Sequence, residues 1–233
     1  KGNKSYAGSL DNLNRIYWRL GAFDSAQIYL IQTNEIERAL MTKASSHLSE
    51  QELSSYIHNF KDGLNRDFSF CQFQPDIAAI CYNNALFYKG FVLNCAARIS
   101  KFAMPDSITA AQYRQFRNYN SRLAEAYTKP VAQRGNLADL EEKVNVLEKA
   151  LVRSIAGFGE AFQQVNWQQV QQKLQPGEVA IEFVQYKFIN PQPTDSLVYA
   201  ALLIAPSIKA PIFIPLFEIK QLDAILQQGA TLK

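Results

Sequence analysis

The stretch Trp167-Gln168-Gln169-Val170-Gln171-Gln172-Lys173-Leu174-Gln175-Pro176-Gly177-Glu178-Val179-Ala180-Ile181-Glu182-Phe183-Val184 marks a change of architecture within the chain. Its first half sets Trp167, Val170 and Leu174 on one side of a helix by i, i+3, i+7 spacing. Pro176-Gly177 cannot continue that helix. Beyond the break, Val179, Ile181 and Phe183 alternate with Ala180 and Glu182, the pattern of a half-buried strand. A polar, Pro-containing loop leads to a second strand over 196–205, which contains Leu197, Val198, Tyr199, Leu202, Leu203 and Ile204. A third strand, Ile212-Phe213-Ile214, is expected to stop at Pro215. Ile219, Leu222, Ile225 and Leu226 then return to helical spacing.

Three segments carry a family resemblance. L-x-P-G-E-x-A-I-E-F over 174–183, Y-A-A-L-L-I over 199–204 and P-I-F-I-P-L-F over 211–217, with a helix on either side, together resemble the opening of a CHAT domain. CHAT domains are caspase-like domains attached to tetratricopeptide arrays. The run Asn84-Ala85-Leu86-Phe87-Tyr88-Lys89-Gly90-Phe91-Val92-Leu93-Asn94 also resembles the helical segment that precedes them. The resemblance covers only the first part of such a domain. It implies a bacterial parent protein that is a caspase-like cysteine endopeptidase, in which a Cys thiolate attacks a peptide carbonyl and a His manages the proton. It further implies that the catalytic His and Cys lie downstream of Lys233, so that no catalytic residue is assigned in this chain. The rival expectation is a non-enzymatic interaction scaffold of the same helical class.

The chain has 233 residues, 48% hydrophobic and 19% charged, enough for one or two domains with a real core. A net charge of +3 does not argue for nucleic acid or a membrane surface. No apolar run approaches the ~18–20 residues of a membrane span. The polar start Lys1-Gly2-Asn3-Lys4-Ser5 does not read as a signal peptide. With Lys in first place, the chain is expected to be cut from a longer one at both ends. Cys71, Cys81 and Cys95 are odd in number and widely spaced, which disfavours a disulfide framework or structural zinc and fits a reducing, cytoplasmic setting.

The expected fold is mainly α with a smaller α/β part, in three segments: a tetratricopeptide-like hairpin over 1–43, a helical linker or bundle over 44–160, and an incomplete CHAT-like portion over 161–233. In the hairpin, helices over 7–20 and 23–40 meet at Gly21. Leu10, Leu13 and Tyr17 supply the packed face, Phe23 the staple and Ala26 the close crossing. Asn14 and Thr33 stand where small residues are usual. Ser49 and Glu52 announce a helix over 48–66. Residues 65–74 read as an aromatic-rich connection. Helices follow over 76–103, 107–128 and 137–154, the last with Leu140, Val144, Leu147 and Leu151 inside and Glu141, Glu142, Lys143, Glu148 and Lys149 outside. The boundary to the sheet is expected within 155–165.

One surface is a candidate for binding a protein or peptide partner. Asp11, Arg15, Trp18 and Arg19 would face the inner groove of a helical array, where two guanidinium groups beside an indole can clamp a carboxylate. The alternative is a solvated helix face with Trp18 packed on a neighbour. Self-association through the exposed edges of strands 179–188 and 197–205 is also expected. Other constellations read as ordinary structure. His47 and His58 lack metal-ligand spacing with any carboxylate cluster. Cys81 and Cys95 lie in an apolar helix, where a thiol behaves as a small hydrophobe. Gly157-Phe158-Gly159 lacks the phosphate-loop pattern, so no cofactor is expected. Glu182 and Glu218 are a conceivable glycosidase-type pair, and more simply solvent-face strand residues.

Overall fold

A computed structural model describes residues 4–102, 107–156, 165–190 and 192–230. The helices are α1 (Lys4–Arg19), α2 (Phe23–Ala44), α3 (Glu50–His58), α4 (Lys61–Cys71), α5 (Ala78–Phe102), α6 (Ser107–Thr128), α7 (Ala138–Ala156), α8 (Trp167–Gln171) and α9 (Ile219–Ala230). Strands β1 (Ala180–Ile189), β2 (Pro193–Ile204) and β3 (Ile212–Glu218) form one antiparallel sheet in the order β1-β2-β3. The fold is thus mainly α with a smaller strand-containing part. Among the described residues no helix is long and apolar enough to cross a membrane. Gly157-Phe158-Gly159 and most of the expected boundary at 155–165 lie outside the described residues.

The chain gathers into two compact units that interleave the sequence segments. One comprises Lys1–Ala39, Asn59–Lys89 and Gln164–Lys233; the other comprises Leu40–His58 and Gly90–Gln163. Helix α2 passes from one to the other at Ala39/Leu40, and α5 at Lys89/Gly90.

In the first unit, α1 ends where Gly21 takes φ +70°. The Ala22 N–H reaches back to the Tyr17 carbonyl and the Gly21 N–H to that of Trp18, closing the last turn with a left-handed residue that favours glycine. Asn14, the departure from the small residue usual at its position, is fully buried, and its Nδ2 donates to the Ala26 carbonyl at 2.8 Å. It therefore ties α1 to α2 at the crossing that Ala26 permits. Around this crossing Trp18, Leu30, Phe68, Phe70, Ile77, Cys81 and Tyr82 share one apolar core with Val184, Tyr186, Val198, Leu202 and Ile204 of the sheet.

Helix α4 differs most from expectation. The sequence suggests one helix over 48–66 and a connection after it; the chain instead turns at Asn59-Phe60 and forms a helix through Cys71. Its final turns are buried on all sides, Asn65, Arg66, Asp67 and Ser69 as fully as Phe68 and Phe70. Helical periodicity of apolar residues vanishes when the polar positions are buried too. The polar side chains serve the sheet: the Lys187 N–H donates to Asn65 Oδ1 at 3.0 Å and the Ile189 N–H to Ser69 Oγ at 2.9 Å. These are backbone donors on the side of β1 away from β2, so this part of the β1 edge is closed by helix side chains.

Two further corrections concern the sheet. The 197–205 strand is its centre, paired on both sides, so the outer strands are β1 and β3. And β3 runs through Pro215 to Glu218 rather than stopping there. Pro215 lies opposite Ala200, beside a register shift at Tyr199/Ala200, the kind of edge-strand site that tolerates a residue without an N–H.

In the second unit, α6 packs on α7, and Ile99 and Leu151 form a small core with Tyr113, Phe116 and Val152. The sequence places Glu148 outside α7, yet it is 7% exposed. Its carboxylate accepts the Glu50 N–H at 2.8 Å, filling a place at the start of α3 where an unpaired donor would stand.

Replacing Ala26 by Leu, at a site with no exposed surface, is expected to overpack the α1–α2 crossing and cost about 1–3 kcal/mol in urea unfolding. An unchanged midpoint would contradict the close crossing.

Candidate functional site

The groups with most chemical potential in the first unit meet where α1, α2, α4 and α5 converge. Arg66 is 2% exposed. Its Nε and Nη2 bind Asp67 Oδ1 at 3.1 and 2.9 Å, and its Nη1 binds Asp11 Oδ1. Asp11 Oδ2 accepts from Arg15 Nε at 3.0 Å. Asp67 Oδ2 accepts from Asn84 Nδ2 at 2.8 Å, and that amide also donates to Asn34 Oδ1 at 2.7 Å. Arg38 closes the network by donating to Asn84 Oδ1. Glu37 approaches from α2 over Gly63: a Cβ on Gly63 would sit 2.9 Å from Glu37 Oε2 and 3.4 Å from Arg66 Nη2. The absence of a side chain there lets the carboxylate close on the guanidinium.

The electrostatics follow from burial. Burial opposes the Arg66 charge, but Asp67, Asp11 and Glu37 outweigh it and raise its pKa further, so it stays a cation. Burial pushes Glu37 up to about 7 from 4.5, with Asp67 and Asp11 adding repulsion and Arg66 and Lys4 opposing. The network links four helices. Its hydrogen bonds run between side chains of the fold itself.

These contacts locate the four residues that the sequence singles out on α1. Asp11 is held between Arg15 and Arg66. Trp18 is 4% exposed, packed edge-on against Phe70 and Phe73 at ring separations of 5.1 and 5.6 Å, so its indole lies in the core rather than open for stacking. Arg19 is exposed and Arg15 half-buried. The members of this set that reach the surface are therefore the two guanidinium groups. Sequence reasoning missed Arg66 and Glu37: Arg66 sat where the expected helix over 48–66 passes into the aromatic-rich connection, and Glu37 within the expected helix over 23–40.

The remaining candidates separate. Cys71 and Cys81 are buried. Burial raises the Cys81 thiol well above its usual range, the opposite of an activated nucleophile. His47 and His58 are exposed, and both belong to the second unit. Among the described residues no group of three His, Cys, Asp or Glu is arranged to hold a metal ion. Glu182 pairs with Leu202 on β2, and Glu218 pairs with Val198 four residues earlier on that strand. The strand spacings put the two glutamates on the order of 15 Å apart at the backbone, outside the range of a glycosidase pair. Glu182 instead pairs with Lys89.

The second unit holds a groove of about 470 Å³ lined by α3, α6 and α7, with Ser54, Asn120, Glu141 and Glu148 among its walls. Tyr127 donates to Glu141 there.

The sheet has a second, bare face. The strand alternation predicted at Val179, Ile181 and Phe183 is real, but the buried set is the other one, Val184 and Tyr186. In register, Ile181–Leu203–Ile212, Phe183–Ala201–Ile214 and Gln185–Tyr199–Phe217 form successive rows on the outer face. Phe183 is 61% exposed and Ile181 46%. No family model matches the chain, and no curated protein and no solved structure matches it either.

The Glu37 carboxyl gives a signed pH effect. Its pKa is higher folded than unfolded, so the folded chain holds more protons between about 4.5 and 7. The stability it contributes is full below the lower value and is lost as pH rises through the upper one, roughly 3 kcal/mol at most. Urea titrations of Glu37→Gln are therefore expected to lose less stability than the parent between about pH 5 and about pH 8. Equal losses would show that Glu37 titrates normally.

Proposed function

We propose that this chain is the regulatory, partner-binding part of a caspase-like cysteine protease of the bacterial tetratricopeptide–CHAT kind, with peptide hydrolysis carried by residues beyond it. The helical part receives a protein or peptide partner, with Arg15 and Arg19 on α1 as the groups that meet an acidic or carboxylate feature. The observation that carries the regulatory half of this reading is the double attachment of α4. Arg66 binds Asp11 on the partner-facing helix, and Asn65 and Ser69 of the same helix bind the backbone of β1. A partner that draws Asp11 or Arg15 away from this arrangement acts on the element that holds the sheet, and that differential contact is what a switch requires. The sequence motifs over 174–217 supply the protease half.

The rival reading is a non-enzymatic scaffold, in which the same helices bind a partner and the sheet is structural. The two separate in the parent gene. Reading past the codon for Lys233 is expected to reveal a strand ending in His-Gly and then one ending in Ala-Cys. A frame that stops there, or continues without that pair, overturns the protease reading and leaves the scaffold.

A further inference from the structure

The outer face of the sheet is apolar across all three strands, and its form fits a copy of itself. Val179, Ile181 and Phe183 on β1 and its approach, and Ile212, Ile214, Leu216 and Phe217 on β3, are between 38% and 61% exposed. With the partly exposed Leu197, Tyr199 and Leu203 of β2 they offer roughly 700–800 Å² of exposed side-chain surface. That exceeds the ~300–600 Å² of the largest patch on an ordinary monomer. It is close to the ~800 Å² that each partner brings to a stable interface.

The sheet edges are poorer candidates for pairing than this face. Asn65 and Ser69 already occupy outward donors of β1. Pro215 breaks the row of donors on β3. The self-association anticipated at strand edges therefore has a better seat on the face.

We infer that two copies of this chain pair through the outer face of the sheet, on a two-fold axis crossing the strands at the Phe183–Ala201–Ile214 row. Such an interface is isologous, so the same patch must complement itself. Apolar rows meet that condition without charge conflict. Phe183, the most exposed of the large apolar residues on the face, stands midway between Val179 and Lys187 and so lies near the axis. The small Ala201 beside it leaves room for the opposing ring. The axis also brings Lys187, at the polar end of β1, over the start of the other copy's strand, where the exposed Glu178 stands. The interface thus has an apolar centre and opposite charges at its rim, the arrangement of stable contacts between folded chains.

Sedimentation of the chain from about 1 to about 100 µM tests this. A dimer is expected. Phe183→Glu is expected to weaken it on the order of 100-fold, because burial of an unpaired charge opposes association. The circular dichroism of that variant should be unchanged, since the side chain already faces solvent. Leu20→Glu, at an exposed site just past the end of α1, a helix that packs on the inner side of the sheet, should leave the dimer intact. Lys187→Glu should weaken it a few-fold, and adding Glu178→Lys should restore it. A chain that remains monomeric overturns the inference, as does a dimer that Phe183→Glu leaves unchanged. Either result leaves the partner-binding reading of α1 and α4 untouched, because none of the residues on which that reading rests, Asp11, Arg15, Arg19 and Arg66, belongs to the outer face of the sheet.

Discussion

The first unit depends on one buried cation. The Arg66 guanidinium sits almost without solvent between Asp67 and Asp11. Removing a charge from water is costly, and the cost is offset only when every donor is met by good geometry. Here Nε, Nη1 and Nη2 all have carboxylate partners, and Asn84 holds the free oxygen of Asp67 in turn. Such a pair adds little net stability over an apolar substitute, but it fixes which way α4 faces. One rotation of α4 satisfies the cation and also presents Asn65 and Ser69 to the strand.

That orientation explains the asymmetry of the sheet. Its inner face is buried against Phe68 and the helical core, with Phe68 and Tyr186 rings 5.6 Å apart. Part of its first edge is closed by α4 side chains. What remains open is the outer face, which is apolar by sequence and bare in the fold. Among the described residues the helical core covers one face of the sheet and leaves Ile181 and Phe183 of the other exposed, whereas α/β architectures commonly bury both faces. The open face and the anchored edge are consequences of the same docking.

The sequence made some of this legible and hid the rest for identifiable reasons. The hairpin at Gly21, the crossing at Ala26 and the Pro176-Gly177 break before the sheet were readable because each depends on local conformation or size. The interior of α4 was not, because a helix that buries Arg66 and Asp67 beside Phe68 and Phe70 has no polar stripe to betray it. For Trp18 the sequence left two readings, a clamp beside two arginines or an indole packed on a neighbour; Phe70 and Phe73, arriving from a distant stretch, cover it as in the second. The strand at Ile181 and Phe183 was recognisable, but its direction was not. Both of its faces carry apolar residues, so alternation alone could not say which one meets the core. Glu148 was hidden in the same way, since its partner is a backbone N–H nearly a hundred residues earlier in sequence.

Amide hydrogen exchange at Lys187 and Ile189 tests the docking of α4 on the sheet most directly. If Asn65 and Ser69 hold the edge of β1, these two amides exchange as slowly as those of the central strand, and Ser69→Ala selectively releases Ile189. If both exchange at the rate of an open edge in the parent chain, α4 does not anchor the sheet, and the account built on its orientation is wrong.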